Sequence, residues 1–204
     1  MARRRVVVTG LGIVSPVGNS VEEAWQNILA GKSGIAAVTK FDVSTFPVKF
    51  AGEVKNFDIT QYISAKDARR MDDFIHFGLA AGIQAVRDAG LDKENVVDLE
   101  RVGVAIGSGI GGLPLIEATQ VEYAAGGVRK VSPFFVPGSI INMISGNLSI
   151  EFGFKGPNIA LVSACTTGTH SIGDAARIIE YGDADVMVAG GAESTVSPLG
   201  MGGF

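Results

Sequence analysis

Cysteine and histidine are nearly absent from this chain of 204 residues, which contains one Cys and two His. A single Cys, at position 165, excludes an internal disulfide framework and fits a reducing compartment. Because His76, His170 and Cys165 are far apart along the chain, these residue types give no metal site. The sequence therefore predicts neither a disulfide-stabilised secreted domain nor a metalloprotein.

Charge is also scarce, at 19% of residues with a formal net charge of −4, and this argues against general nucleic-acid binding. Although 47% of residues are hydrophobic, no apolar run approaches the roughly 18–20 residues that a membrane span needs. The excess apolar surface is expected to be buried, some of it at a partner interface. The N-terminal apolar run, after three Arg, is too short for a signal peptide. We expect a cytoplasmic protein.

Strand-like and helical patterns alternate along the chain with glycine-rich turns between them, which predicts an α/β fold with a mainly parallel sheet. Residues 6–9 do not alternate in polarity and are predicted to be a short strand buried on both faces. Further strands are expected at 102–106, 158–163 and 185–189, and helices at 21–29, 64–89, 115–125, 139–150 and 172–181.

Capping residues and apolar spacing support two of these helices. Ser20 with Glu23 forms a capping box, and Ser64 begins the long helical region that ends before Gly90. One stripe of the second region is expected to be buried. Its members are Phe74, Phe77, Ala81, Ala85 and Ala89.

Cys165 is expected where an apolar strand turns into a helix, and this is the most informative feature of the chain. A helix N-terminus favours the thiolate over the thiol, and a sharp strand-to-helix turn presents a nucleophile outward. The small neighbours Ala164, Thr166 and Gly168 leave room for a substrate. We interpret Cys165 as a nucleophile rather than as a buried, inert cysteine.

Gly107, Gly109 and Gly112 form a GxGxxG pattern after a strand and before a helix. A dinucleotide site would also need an acidic residue at the end of a second strand about 20 residues further on, where this chain has a loop. The pattern is therefore interpreted as a turn that lets strand, helix and a different ligand approach closely.

The remaining polar candidates have less specific explanations. His76 is interpreted as structural, and so is His170, because five helical residues turn its side chain about 140° from that of Cys165. Two basic clusters are either solvated faces or a surface for an acidic partner. They consist of Lys66, Arg69 and Arg70, and of Arg129 and Lys130.

Five motifs in order resemble the β-ketoacyl-acyl-carrier-protein synthases, and within them the KAS II condensing enzymes of fatty-acid synthesis. They lie at residues 4–12, 106–112, 132–137, 164–168 and 181–193, so the resemblance covers the whole chain. It implies a thiolase-like αβαβα layered fold made of two similar halves, working as a homodimer. This chain is similar to the first half only, and we expect residues 1–204 to be an N-terminal ketosynthase domain truncated before the second half.

The resemblance also implies a reaction and its residues. Cys165 would accept an acyl group from the phosphopantetheine arm of acyl carrier protein, with its own backbone N–H in the oxyanion hole, and a malonyl thioester would then extend the chain. No bound cofactor is implied. Ile110 and Phe204 match an acyl pocket that Phe135 of a partner subunit would complete, and the two basic clusters match the docking surface for the carrier.

The family's catalytic histidines, lysine and second oxyanion donor belong to the second half, so this chain alone is expected to be acylated at most. Four alternatives stay open: a KAS I enzyme, a polyketide ketosynthase, an NAD-binding oxidoreductase, and a non-catalytic interaction module.

Overall fold

The computed structural model describes residues 4–91 and 98–204. Its regular elements are helices and short strands. In chain order they are α1 (Val21–Leu29), β1 (Ile35–Ala37), β2 (Phe50–Gly52), α2 (Ala65–Ala68), α3 (Asp73–Asp88), β3 (Val102–Gly107), α4 (Leu113–Gly126), α5 (Phe135–Ser139), α6 (Met143–Phe152), β4 (Asn158–Ile159), α7 (Thr167–Tyr181), β5 (Val186–Gly191) and α8 (Pro198–Gly203).

The predicted parallel sheet is confirmed as three strands in the order β4-β3-β5. β3 pairs with β5 along its whole length, from Val102 opposite Val186 to Gly107 opposite Gly191. A separate antiparallel pair, β1–β2, lies between α1 and α2. The strand carboxyl ends therefore bring the turns after β3 and β5 to one edge.

All six residues of β3 are buried because helices cover both faces of this strand. Val102, Val104 and Ile106 join the hydrophobic core formed with α3 and α6. The intervening small residues face α7, and a Cβ added at Gly107 would lie 2.7 Å from Cγ2 of Thr167. Large side chains therefore fill one side of β3, and small ones let α7 approach on the other.

The long helical region predicted from Ser64 is two helices, because the chain between them turns at Asp72. The carboxylate of Asp72 accepts the N–H of Phe74 to cap α3 and that of Leu115 at 2.8 Å in α4. Burial raises the pKa of this carboxyl. Ser64 caps only the four-residue α2, through the N–H of Asp67.

The stripe predicted on α3 is only partly buried. Phe74 is in the core, but Ala81 and Ala85 are half-buried, and the fully buried side chains include Leu79 and Ile83. α3 has two packed faces: the core lies on one, and the N-terminal segment lies on the other. A Cβ at Gly12 would lie 1.9 Å from the carbonyl oxygen of Ala81. The alanine face of α3 therefore packs directly against the backbone of Gly12.

The strand predicted at residues 6–9 is wrong. These residues are not in a strand, and the side chains of Val7 and Val8 are 60% and 78% exposed. Contact of Gly10 and Gly12 with the backbone of α3 sets the path of this segment. A cavity of about 390 Å³ is lined by both the segment and β5, so the two do not form a ladder.

Two other predicted boundaries are corrected. The helix predicted at 139–150 is α6, which begins at Met143, and a separate short helix, α5, precedes it. β4 ends at Ile159 rather than at residue 163, because the buried hydroxyl of Ser145 replaces the next hydrogen bonds between β3 and β4. This hydroxyl accepts the N–H of Ile106 at 2.9 Å and donates to the carbonyl oxygen of Ile159 at 2.8 Å.

Within residues 4–91 and 98–204, no helix has the length and apolar character needed to cross a membrane.

Candidate active site

Cys165 lies in a single 3-10 turn, Ala164–Thr166, between β4 and α7. Ala164 has a positive φ of 52°, a left-handed conformation that L-residues with a Cβ rarely adopt. The hydroxyl of Thr167 accepts the N–H of Ser163 at 2.9 Å and donates to the carbonyl of Ala164 at 2.8 Å. This strained turn, held by the two hydrogen bonds of Thr167, presents the Cys165 side chain outward, and the thiol is exposed.

An open cavity of about 400 Å³ lies at this turn and is lined by Cys165 together with Ile110 and Phe204. These two apolar residues come from separate elements, the turn after β3 and the end of α8. The structure therefore brings together Cys165, the predicted nucleophile, and two of the three residues predicted for an acyl pocket. Phe135 is not among the residues that line this cavity, and its predicted role in a partner's cavity remains a prediction.

The carboxylate of Glu193 binds the glycine-rich turn after β3, which the sequence motif did not reveal. Its Oε2 accepts the backbone N–H groups of Gly109 at 2.8 Å and Ile110 at 2.9 Å. Its Oε1 accepts the hydroxyl of Ser108 at 2.9 Å and the N–H of Gly111 at 3.3 Å. A carboxylate of the chain itself thus takes the place at which a pyrophosphate would lie in a dinucleotide-binding turn.

A second carboxylate, that of Glu117 in α4, caps the N-terminus of α8. It accepts the hydroxyl of Ser197 at 2.8 Å and the N–H of Leu199 at 2.7 Å. α8 carries the chain to Phe204, whose side chain is 92% exposed and so has little packing of its own. Glu117 therefore fixes the helix from which Phe204 reaches the cavity.

The two histidines form local hydrogen bonds. Nδ1 of His170 lies 2.7 Å from the hydroxyl of Ser163, so this ring is tied to the chain that enters the Cys165 turn. Nε2 of His76 lies 2.9 Å from the carbonyl of Ala68. Both contacts agree with the structural interpretation of these residues. Among the residues that the structure describes, no three His, Cys, Asp or Glu side chains form a group suited to a metal ion.

The predicted docking residues differ in their contacts within the chain. The guanidinium of Arg70 already has intramolecular contacts, since it lies 3.7 Å from Asp67 and 4.3 Å from the ring centre of Phe134. This stacking joins the chain just after α2 to the residue that precedes α5. The other four side chains are exposed. They are Lys66, Arg69, Arg129 and Lys130.

An exposed cysteine on a hydrogen-bonded turn, beside an apolar cavity at the carboxyl ends of parallel strands, is an arrangement typical of enzymes that form a covalent intermediate. The sequence model of the β-ketoacyl synthase N-terminal domain matches residues 3–204. The chain belongs to this family.

Curated relatives named 3-oxoacyl-[acyl-carrier-protein] synthase 2 match the whole chain. The protein from Vibrio cholerae serotype O1 is 61% identical over 204 residues, and that from Coxiella burnetii is 53% identical over 204 residues. Each match covers 100% of this chain and 49% of the relative. The chain therefore spans about half the length of the curated relatives that it matches.

Solved structures with the same fold are also ketosynthases. The ishigamide ketosynthase/chain length factor has a TM-score of 0.86 at 30% identity, covering 100% of this chain and 50% of that one. A type II PKS ketosynthase, solved in complex with its acyl-carrier protein, has a TM-score of 0.81 at 27% identity, over 98% of this chain and 55% of that one. The α/β layered, thiolase-like fold is thereby confirmed for this half.

Proposed function

We propose that the chain carries the acyl-accepting site of a 3-oxoacyl-acyl-carrier-protein synthase that elongates fatty acids. The observation that carries this proposal is the exposed thiol of Cys165 on its strained turn, facing a cavity lined by Ile110 and Phe204. The 48–61% identity to relatives named synthase 2 supports fatty-acid rather than polyketide substrates.

In the first step, the Cys165 thiolate attacks the carbonyl carbon of an acyl thioester on the carrier's phosphopantetheine arm. A new C–S bond forms at Cys165, the C–S bond to the carrier breaks, and the carrier leaves as a thiolate that takes up a proton. The backbone N–H of Cys165 is proposed as one oxyanion donor for the tetrahedral intermediate. No cofactor takes part, because the carrier arm itself supplies the thioester.

The second step would join the acyl group to a carbanion formed when a malonyl thioester loses carbon dioxide. We assign no described residue of this chain to that decarboxylation. The ring of His76 lies against the carbonyl of Ala68 in α2, and that of His170 against the hydroxyl of Ser163, which precedes the Cys165 turn. Acylation is therefore the half-reaction that we expect of these 204 residues, and a mixture with acyl- and malonyl-carrier is expected to yield no ketoacyl product.

The acylation step is tested by intact mass after the folded chain is incubated with hexadecanoyl-carrier protein. We expect one acyl group per chain and one equivalent of released carrier thiol. C165A, checked for folding by circular dichroism, is expected to show neither. Iodoacetamide measures access to the thiol independently of any acyl pocket. An unreactive Cys165, or an acyl adduct that persists in C165A, would refute the proposal.

We also propose a homodimer in which Phe135 of one subunit reaches the cavity of the other. Several large apolar side chains are exposed, among them Val121, Val136 and Ile150 at 70%, 57% and 77%. An exposed apolar surface of this kind is typical of an interface. Sedimentation velocity should give twice the chain mass, and a monomer at micromolar concentration would argue against the dimer.

A further inference from the structure

We infer that Glu193 is a positioning residue that determines which acyl chains reach Cys165, because it holds Ile110 at the cavity wall. This inference rests on the proposed acylation of Cys165 and concerns the selectivity of that same site.

The position of Ile110 depends on its backbone more than on its side-chain packing. The side chain is 45% exposed, so core contacts do not hold it in place. Its N–H and those of its neighbours Gly109 and Gly111 all donate to the Glu193 carboxylate. A carboxylate 83 residues away in sequence therefore determines where the apolar wall of the cavity lies.

Glu193 also connects this turn to the turn that carries the nucleophile. Gly109 lies between them, since a Cβ at this position would be 2.7 Å from Oε2 of Glu193 and 3.3 Å from Cα of Ala164. Ala164 immediately precedes Cys165, and Glu193 itself lines the cavity. The Glu193 carboxylate, the glycine-rich turn and the Cys165 turn thus pack against one another. A shift of any one of them changes the space beside the thiol.

The chemistry of the contact requires a carboxylate at position 193. Both of its oxygens receive two donors each, and a carboxylate is an acceptor only. A carboxamide of the same shape would turn an NH2 donor toward two of these donors and lose their hydrogen bonds. E193Q is therefore a nearly isosteric change that releases part of the turn without opening a gap.

The experiment measures the rates at which hexadecanoyl and butanoyl thioesters acylate Cys165 in the full chain and in E193Q. We expect the ratio of the two rates to change by about threefold to tenfold, which is the scale of the net contribution of one ordinary hydrogen bond. The iodoacetamide rate should change by less than about twofold, since that small probe does not need the acyl wall. A change confined to protein stability would leave the ratio unchanged.

A double-mutant cycle tests whether E193Q changes the ratio of acylation rates through Ile110 or in another way. In an I110A background, E193Q should alter the ratio by less than about twofold, because the side chain it positions is gone. S108A removes one donor to the same carboxylate and should shift the ratio in the same direction, which keeps a test available if E193Q does not fold. E122Q, which removes an exposed carboxylate on α4, is the matched control.

An unchanged ratio in both E193Q and S108A would overturn the positioning role while leaving acylation intact. An equal change of the ratio by E193Q in the presence and absence of the Ile110 side chain would overturn the proposal that Glu193 acts through Ile110. Failure of every thioester to acylate the unaltered chain would overturn the proposed function, and this inference with it.

Discussion

Arg101 holds Asp185 with two hydrogen bonds, from Nε to Oδ2 at 3.1 Å and from Nη2 to Oδ1 at 3.0 Å. Arg4 adds a third, and its guanidinium contacts Oδ1 of the same carboxylate. Asp185 immediately precedes β5, Arg101 immediately precedes β3, and Arg4 belongs to the N-terminal segment. One carboxylate thus joins the beginnings of two neighbouring strands to that segment.

D185N is expected to lower the thermal unfolding temperature at pH 7. The hydrogen bonds from Arg101, and then those from Arg4, hold the pKa of the Asp185 carboxyl well below its usual range. A lowered carboxyl pKa stabilises the fold above the unfolded value of about 3.9, and this stabilisation is lost as the pH falls below it. The difference in unfolding temperature between D185N and the unaltered chain should therefore shrink on acidification.

The matched control is D183N, because Arg101 contacts only the backbone carbonyl of Asp183. An equal loss of stability in D183N at pH 7 would mean that net charge, not the bidentate contact, is responsible.

Asp73 should make a second acid-sensitive contribution to the stability of the fold. Hydrogen bonding to His76, and then the contact with Lys40 at 3.0 Å, lower the pKa of Asp73 to about 2. The resulting stability is present above about pH 4 and is lost as the pH falls toward 2. Because the side chain is about half exposed, we expect D73N to lower the free energy of unfolding by no more than about 1 kcal/mol at pH 6.

Urea denaturation at pH 6 and pH 2.5 measures this contribution, with D174N as the control for removing an acidic charge elsewhere. A deficit in D73N that is as large at pH 2.5 as at pH 6 would contradict the assignment.

Ala164 tests whether the Cys165 turn is strained. The left-handed conformation costs an L-residue about 1–2 kcal/mol, whereas glycine adopts it freely at an entropic cost of about 0.5–1 kcal/mol. A164G should therefore range from neutral to about 1 kcal/mol more stable in chemical denaturation, and A164V should lose at least about 1 kcal/mol. The side chain is exposed, so lost packing does not confuse the comparison. Greater stability of the valine variant would disprove the strain.

Ser145 tests the bridge between β3 and β4. Its hydroxyl is fully buried and bonds to Ile106 and Ile159, so S145A leaves buried backbone groups with fewer partners. We expect a loss of about 1–3 kcal/mol in the free energy of unfolding. S149A, whose hydroxyl bonds only within α6 to Gly146, should cost less than about 0.5 kcal/mol. Equal effects of the two changes would rule out the bridge.

Charge reversal tests the proposed docking surface for the acidic carrier. K66E and R129E change exposed residues and should each weaken carrier binding several-fold at low salt, with a smaller dependence on ionic strength. K155E reverses another exposed lysine outside the two clusters and serves as the control. Binding by isothermal calorimetry that is unchanged in K66E and R129E would leave these clusters as ordinary solvated faces.

Local chemistry made much of the fold predictable from sequence. Ser20 caps α1, and Gly182 ends α7 in a left-handed conformation with φ of 87°, because both effects act within a few residues. β3 and β5 were predicted from their continuous apolar runs. The helix break at Asp72 was missed, because its carboxylate bonds to Leu115, which lies 43 residues away. The 6–9 segment was misassigned, because its apolar run does not reveal that glycines just beyond it dock on α3.

The sequence alone placed the thiol of Cys165 at a strand-to-helix turn, since apolar spacing, small residues and helix signals are local and additive. Only the tertiary structure placed Ile110 and Phe204 at one cavity with it and turned the carboxylate of Glu193 onto the glycine-rich turn. The contact between Glu193 and Ile110 joins residues 83 positions apart, and the residues that line the cavity are also distant in sequence. Such contacts form because parallel strands bring their carboxyl ends to one edge, and no pattern within a short window encodes that meeting.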